Sequence, residues 1–329
     1  MTVPDRMRAV RIDDHGGPDI LAEAEVATPE PGHGEVLVRT VAASVNPIDT
    51  YVREGAAEPA DGLPHVVGSD VAGVVVAAGA GVDEFAPGDR AFATGLGLFE
   101  QGSYAEYVPV PADRLAHLPE AVPFRTGAAA AMVYPTAWRA LVDRGGLTVG
   151  DACLIQGGAG GVGNAAVQIA RHAGTEVVAT ARPDDAELVE DAGADAVVDY
   201  RADDMAGAVR AAGVDAVDVV LETHADRNLA GDLDLLSRGG RVVVIGEEAP
   251  IELSPSLSMD AKIADADLRF MSIVASAEDQ KRLLERTAPR LADGTFDVRV
   301  ADVYPFPEAA EAHRAVESTG TGGKVLLEP

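Results

Sequence analysis

Before Thr126 the apolar positions fall in short, valine-dense runs cut by glycine and proline. EVLVRTVAASV (35–45), SDVAGVVVAAG (69–79), GDRAFAT (88–94) and GSYAEYVPVP (102–111) are the clearest of them. Closely spaced runs bounded by turn residues predict the strands of a barrel-like or partly open β domain. From Thr126 the chain turns alanine-rich and helical, and then it alternates. ACLIQ (152–156) leads into a helix from Gly160, and EVVATA (176–181) leads into DDAELVEDAG (184–193). AVVDY (196–200), VDVVLET (217–223) and GRVVVIG (240–246) continue the series of short apolar runs. Strands alternating with helices predict βαβ units and a parallel sheet, so the fold class is α/β. The stretch from Ile273 predicts a helix (Ala277–Leu291), a strand near Phe296–Tyr304, a helix (Phe306–Glu317) and a last strand, Lys324–Leu327.

The junction after the first of these alternating strands carries candidate chemistry. Gly158, Gly160 and Gly163 form G-x-G-x-x-G in IQGGAGGVGNAAVQIARHAG (155–174). The pattern follows a strand and opens a helix, the context in which it cradles a dinucleotide diphosphate. One glycine gives a tight turn with positive φ, the next lets the diphosphate approach the backbone, and Gly163 lets helix and strand pack closely. The helix N-terminus adds unpaired N–H groups and partial positive charge. A glycine turn with no ligand is the alternative. An acid at the tip of the second strand would select NAD by holding the ribose 2′-hydroxyl. Here the strand is followed by Arg182, with Asp184 and Asp185 beginning the next helix. An arginine there can clamp a 2′-phosphate, and Tyr200 and Arg201 close the following strand beside it. The reading is NADPH over NADH; the alternative for Arg182 is a solvated surface arginine.

Composition narrows the class. The 329 residues suggest about two domains. No stretch reaches the ~20 apolar residues of a membrane-spanning helix, and the N-terminus has charges where a signal peptide has its apolar segment, so a cytoplasmic location is expected. The single cysteine, Cys153, sits in an apolar context and excludes a disulfide within the chain or a cysteine-based structural zinc site. The net charge is −28, with 26 lysines and arginines against 54 acids, and only Lys262, Lys281 and Lys324 are lysines. Dispersed acids of this kind suit a halophile's salt-rich cytosol, where a Debye length of ~3 Å at 1 M screens self-repulsion. They also argue against nucleic-acid binding, which needs a basic footprint.

With those residues in hand the whole chain resembles the zeta-crystallin-like quinone oxidoreductases of the medium-chain dehydrogenase/reductase superfamily. HGGPDIL (15–21), SVNPIDTYVREG (44–55), LPHVVGSDVAGVV (63–75), GDR (88–90), GGAGGVG, VVDYR (197–201) and GGKVLL (322–327) carry the likeness. The resemblance implies a GroES-like catalytic domain from residues 1–126 and 273–329, and a Rossmann dinucleotide-binding domain, 127–272, with NADPH in the cleft between them. It implies a homodimer joined through the Rossmann sheet edges near Leu268–Ser272. Cofactor contacts carry over to Asn46, Thr136, Gly158, Gly160, Gly161, Val162, Gly163, Arg182, Tyr200, Arg201, Gly246 and Phe270. One departure is that aspartates stand where the family often has a 2′-phosphate lysine, leaving Arg182 to compensate.

Zinc-dependent relatives place a Cys at the position of Asn46 and a His at that of Ser69. Neither is present, and the other histidines show no ligand spacing, so no metal site is expected. Without a Lewis acid the expected acceptors are quinones and α,β-unsaturated carbonyls, in which charge delocalises onto oxygen. An enoyl-thioester or 2-alkenal reductase, or a non-catalytic NADPH-binding protein, are the alternatives. The acceptor needs alignment and hydrogen-bond donors for its developing oxyanion. Asn46 and Tyr51 are the candidates for positioning it; the alternatives are a turn residue before Pro47 and a pocket wall. Tyr134 is a further candidate lining, and Asp49 is read as bonding the local backbone.

Overall fold

A computed structural model describes residues 3–274, 276–318 and 322–329. In chain order its strands and helices are β1 (Arg6–Ile12), β2 (Ala22–Ala27), β3 (Glu35–Ser44), α1 (Pro47–Glu54), β4 (His65–Val66), β5 (Asp70–Ala78), β6 (Arg90–Ala93), β7 (Tyr107–Pro111), β8 (Leu115–His117), α2 (Phe124–Ala130) and α3 (Val133–Trp138). There follow β9 (Ala152–Ile155), α4 (Gly161–Ala173), β10 (Glu176–Ala181), α5 (Ala186–Asp191), β11 (Ala196–Asp199), α6 (Met205–Ala211), β12 (Val217–Glu222), α7 (Ala225–Leu235), β13 (Leu236–Val244), α8 (Pro255–Ala264) and β14 (Asp267–Phe270). The chain closes with α9 (Ala277–Ala292), β15 (Val300–Pro305), α10 (Ala309–Glu317) and β16 (Lys324–Glu328). Two compact units result, one from Met1–Pro135 with Ile273–Pro329 and the other from Thr136–Ser272.

The first unit is β-rich. Its larger sheet has seven strands, in the order β15-β16-β3-β5-β6-β8 with β7 also paired to β3, and a smaller sheet runs β2-β1-β4. Strand β3 is the hub because it pairs antiparallel with β5, β7 and β16, which brings the C-terminal strand beside Ala43 and Ser44. Val36, Val38, Val71, Val75, Val108 and Val110 form one core; Val10, Ile12, Val45, Tyr104, Phe306 and Leu327 form another. β-Branched side chains pack well on such pleated surfaces. Helix α1, which follows β3 directly, has Asn46 as its N-cap and Pro47 in the first turn, where the missing N–H costs nothing.

The second unit holds six parallel strands in the order β11-β10-β9-β12-β13-β14. The sequence runs outward from β9 in both directions, the doubly wound order that reverses between β9 and β12. Strands β9, β10 and β12 are buried along nearly their whole length, as a sheet covered on both faces requires. Leu154, Val178, Val220 and Val242 pack with Leu229 and Leu233 of α7.

Several details differ from the sequence expectation, among them helix α8 and the edge strand β14, which no apolar run announced. Strands β1 and β2 were not anticipated, although both alternate polar and apolar. The strand expected near Phe296 begins at Val300, because Phe296 is buried against Tyr134, rings 4.7 Å apart and nearly parallel. Strand β13 begins at Leu236 rather than at Gly240, since its first residues already pair with β12.

Candidate functional site

In the second unit the loops after successive strands collect the predicted cofactor contacts at one edge of the sheet. Gly158 follows β9, Arg182 follows β10, Tyr200 and Arg201 follow β11, Gly246 follows β13, and Phe270 ends β14. The carboxyl edge at the reversal point is where open α/β sheets bind ligands. The turn residue with positive φ is Gly157, at 71°, one position before the predicted motif begins. Gly158 is needed for a different reason: a Cβ there would stand 2.9 Å from Ala179 Cβ and 2.9 Å from a Val189 methyl carbon. A Cβ at Gly163 would collide with the carbonyl oxygen of Gly157, so helix α4 could not rest on the loop. A Cβ at Gly160 would meet one atom, Gly157 O, in a tight 3.3 Å contact, and is otherwise unobstructed. Gly161 and Val162 form the first turn of α4 and are partly exposed. The N–H groups of that turn have no partner within the helix. The residues therefore fit a diphosphate: a largely unobstructed backbone at Gly160, a tight turn behind it, and a helix start.

Arg182 is part-exposed, and its guanidinium makes two 2.7 Å contacts with Asp185, whose carboxylate raises its pKa. Arg201 lies across Asp199 with paired contacts of 2.9 Å. Tyr200 and Phe270 are half exposed or more. Thr136 is buried at the start of this unit. Adding a Cβ to Gly246 would bring it to 2.6 Å from Thr223 O, so a side chain is excluded there too. Cys153 is fully buried in β9, and burial pushes its thiol well above the usual range.

In the first unit the N-terminus of α1 is the centre of a buried polar network. Asp49 returns its carboxylate to Asn46 N–H at 2.8 Å, the local backbone bond expected of it. Asn46 itself is placed differently from the expectation. It is almost fully buried, and its Nδ2 donates to Asp70 Oδ2 at 2.8 Å and to Ser69 Oγ at 3.1 Å. Its Oδ1 accepts from Lys324 Nζ at 2.6 Å, which fixes which end of the amide is which. Both amide hydrogens are thus committed inside the protein, and Asn46 has none left for an oxyanion. Tyr51, by contrast, is half exposed on α1. Tyr134 is also corrected: it is buried on Phe296 and its hydroxyl donates to Asp297 O at 2.9 Å.

Lys324 is a functional residue of this network that the sequence pattern does not single out. Its ammonium also donates to Val45 O at 3.0 Å and stands opposite Asp70. Burial lowers its pKa and raises that of Asp70; each opposes the shift of the other. A second chain runs from Asp49. Tyr104 O–H donates to Asp49 Oδ2 at 2.9 Å, and His313 Nε2 lies 3.4 Å from that hydroxyl. Arg53, fully buried, donates from Nη1 to His313 Nδ1 at 3.2 Å. Arginine has no lone pair to offer, so Nδ1 is the acceptor and the proton of the neutral ring sits on Nε2. Burial and then Arg53 hold His313 neutral, down to about 3. Burial pushes Asp49 up to about 7 despite the bond from Asn46. His65 is a buried structural residue, Nε2 bonded to Gly97 O at 2.9 Å. Among the described residues no group of three His, Cys, Asp or Glu side chains could hold a metal ion. No helix of the described residues is long and apolar enough to cross a membrane.

Comparisons with known proteins bear on these features. The family model for the alcohol dehydrogenase GroES-like domain matches residues 32–120, and that for zinc-binding dehydrogenase matches residues 192–327. Quinone oxidoreductase of Rattus norvegicus is 36% identical over 327 residues, covering 98% of this chain and 97% of that one. The chloroplastic NADPH-dependent alkenal/one oxidoreductase of Arabidopsis thaliana is 31% identical over 339 residues, covering 100% and 81%. A mycobacterial protein solved in complex with NADPH superposes with a TM-score of 0.86 at 32% identity, covering 98% and 100%.

Proposed function

This chain belongs to the quinone oxidoreductases of the medium-chain dehydrogenase/reductase superfamily and is an oxidoreductase; from that premise we propose that it reduces a quinone or α,β-unsaturated carbonyl with NADPH and without zinc. Bound NADPH would supply a hydride from its nicotinamide ring. The observation that carries the reading is the loop from Gly157 to Gly163, whose positive-φ turn at Gly157 and close packing at Gly158 and Gly163 leave backbone beside a helix start that suits a diphosphate. Arg182 and Arg201, beyond the two adjacent strands, are assigned to the 2′-phosphate, with Tyr200 walling the adenosine side. Gly246 and Phe270 complete the cofactor contacts with Thr136. Both arginines already hold carboxylates, Asp185 and Asp199, so a phosphate would have to displace or share these partners.

Tyr51 is assigned to positioning the acceptor, because it is the half-exposed aromatic residue of α1. Asn46 acts at one remove: its amide, clamped by Lys324 and Asp70, fixes the start of the helix that presents Tyr51. Support for metal independence comes from side chains. Asn46 donates to both Ser69 and Asp70, and the Lys324 ammonium donates to Asn46 and stands opposite Asp70, so a cationic group already occupies this polar interior.

The test is steady-state oxidation of NADPH at molar and at low KCl with 1,2- and 1,4-quinones, 2-alkenals and crotonyl-CoA. Turnover with quinones or enones is expected. Turnover with the thioester alone, or with 2-alkenals alone as the name of the Arabidopsis relative suggests, would shift the assignment to the alternative reductase. Saturable binding with no turnover of any acceptor would leave a cofactor-binding protein, and absence of binding would refute the reading.

A further inference from the structure

Below the glycine loop lies a chain of four buried polar side chains that the reaction does not use. Gly157 N–H donates to Thr180 Oγ at 3.0 Å, and the Thr180 hydroxyl donates to Gln156 Oε1 at 2.8 Å. Gln156 Nε2 donates to Asp232 Oδ1 at 2.8 Å. Asp232 faces Glu222, the last residue of β12, whose Oε1 accepts from His224 N–H and from Asn228 Nδ2, the latter at 3.2 Å. Gln156, Thr180, Glu222 and Asp232 are all buried. Asp232 Oδ2 and Glu222 Oε2 are the two oxygens left without a donor.

A fully buried carboxyl group facing a second one is held protonated by desolvation and by the like charge beside it. Burial, and then the neighbouring Glu222, keep Asp232 far above the usual carboxylate range. Asp232 therefore keeps its proton, and because Oδ1 accepts from Gln156 Nε2 the proton sits on Oδ2, which leaves Oδ1 as a pure acceptor. That acceptor dictates the rest. Gln156 must turn its NH₂ to Asp232 and its carbonyl to Thr180. The Thr180 hydroxyl must then aim its proton at Gln156 and its lone pair at Gly157 N–H. If Gln156 were flipped, its NH₂ would face Thr180 and the Thr180 hydroxyl proton would lose the Gln156 oxygen that accepts it. Thr180 also accepts Gly158 N–H on its backbone oxygen at 2.8 Å, so it holds two successive amides of the loop.

We propose that Thr180, Gln156 and Asp232 are positioning residues for the dinucleotide, setting through one hydrogen-bond polarity the conformation of the glycine loop that receives the diphosphate. The proposal rests on the NADPH reading given above. It assigns no contact between these side chains and the ligand; they act through Gly157.

The experiment measures dissociation constants for two ligands on the full chain. NADPH spans the loop, whereas adenosine 2′-phosphate carries the 2′-phosphate and no diphosphate. Thr180→Val removes the hydroxyl at nearly constant volume and is expected to weaken NADPH about tenfold, the worth of one hydrogen bond, with adenosine 2′-phosphate unchanged. Thr180→Ser should stay within about twofold of the parent, and so should Asp232→Asn, whose amide keeps one acceptor for Gln156 and offers a hydrogen to Glu222. Asp232→Leu should behave like Thr180→Val. Far-UV circular dichroism identifies any variant that fails to fold, in which case the Ser and Asn variants decide the matter. Equal weakening of both ligands, or an Asn variant as weak as the Leu variant, would overturn the proposal. If the parent chain binds adenosine 2′-phosphate and NADPH not at all, the NADPH reading itself fails.

Discussion

Asp49→Asn should change how stability depends on pH, and the structure gives the size of the change. Asp49 is 2% exposed, and its Oδ2 receives Asn46 N–H at 2.8 Å and Tyr104 O–H at 2.9 Å. Both bonds favour the carboxylate, but the cost of burying charge outweighs them and moves the group from 3.8 to about 7. Between those two values the unfolded chain has ionised this carboxyl and the folded chain has not. The folded state then holds more protons, so raising the pH favours unfolding, at about 1.4 kcal/mol per unit. The loss begins near pH 3.8, is complete near pH 7, and amounts to ~4 kcal/mol in all. An asparagine at this position can accept both hydrogen bonds on its amide oxygen and does not titrate. Urea unfolding of both proteins at pH 4 to 9, in molar KCl, isolates the effect, because every other titrating group appears in both curves. The variant should gain on the parent by about 1.4 kcal/mol per unit up to neutrality and run parallel above it. Curves parallel throughout would show Asp49 ionised in the fold at its ordinary value and would refute the reasoning.

Arg182→Ala should raise the NADPH dissociation constant by about ten- to a hundredfold, the worth of a charge-assisted hydrogen bond, and leave NADH within about twofold; fluorescence titration with both cofactors checks it. Lys324→Met strands Asp70 and Asn46 Oδ1 in the interior and should destabilise the fold by ~3–5 kcal/mol, with Asp70→Asn in the same chain recovering part of the loss in urea melts. Turnover should survive exhaustive dialysis against a chelator, and loss of activity restored by zinc would refute the metal-free reading.

Five strands of the parallel sheet were legible because each contains a short apolar run, the pattern of strands covered on both faces, whereas the edge strand β14, DLRF, carries two charges in four residues and has no such run. The antiparallel half was less legible. Strand β1 reads RMRAVRI, whose alternate positions are buried, yet its charges drew attention away from the pattern. The glycine loop was found from its motif, while the role of Gly157 needed the backbone itself. Asn46 was singled out, but its partner Lys324 lies 278 residues away, and no local pattern encodes that distance. Glu222 and Asp232 had a faint signal: Glu222 closes VDVVLE, a run otherwise buried at nearly every position. With 54 acids in the chain, a buried one looks like any other.

That excess of acid explains how the interior is built. A chain with three lysines has few flexible cations for neutralising buried carboxylates. One of the three, Lys324, is placed against Asp70 at the start of α1. Arg53, the fully buried arginine, faces His313 and two part-exposed glutamates, Glu54 and Glu317, and not Asp49. Two of the remaining buried acids are carried by protons instead. Asp49 keeps its proton to about pH 7, and burial beside Glu222 keeps Asp232 protonated well above the usual carboxylate range. Those protons are lost as pH rises. The interior of each unit therefore has its own alkaline weakness: at the start of α1 in the first, and beneath the glycine loop in the second. Screening salt relieves repulsion among exposed acids but reaches buried ones poorly. Molar KCl should thus restore stability lost to surface charge at pH 8 while leaving the Asp49 contribution where it was. A parent-minus-variant difference for Asp49→Asn that vanished on adding salt would place that carboxyl in contact with solvent and contradict the buried network.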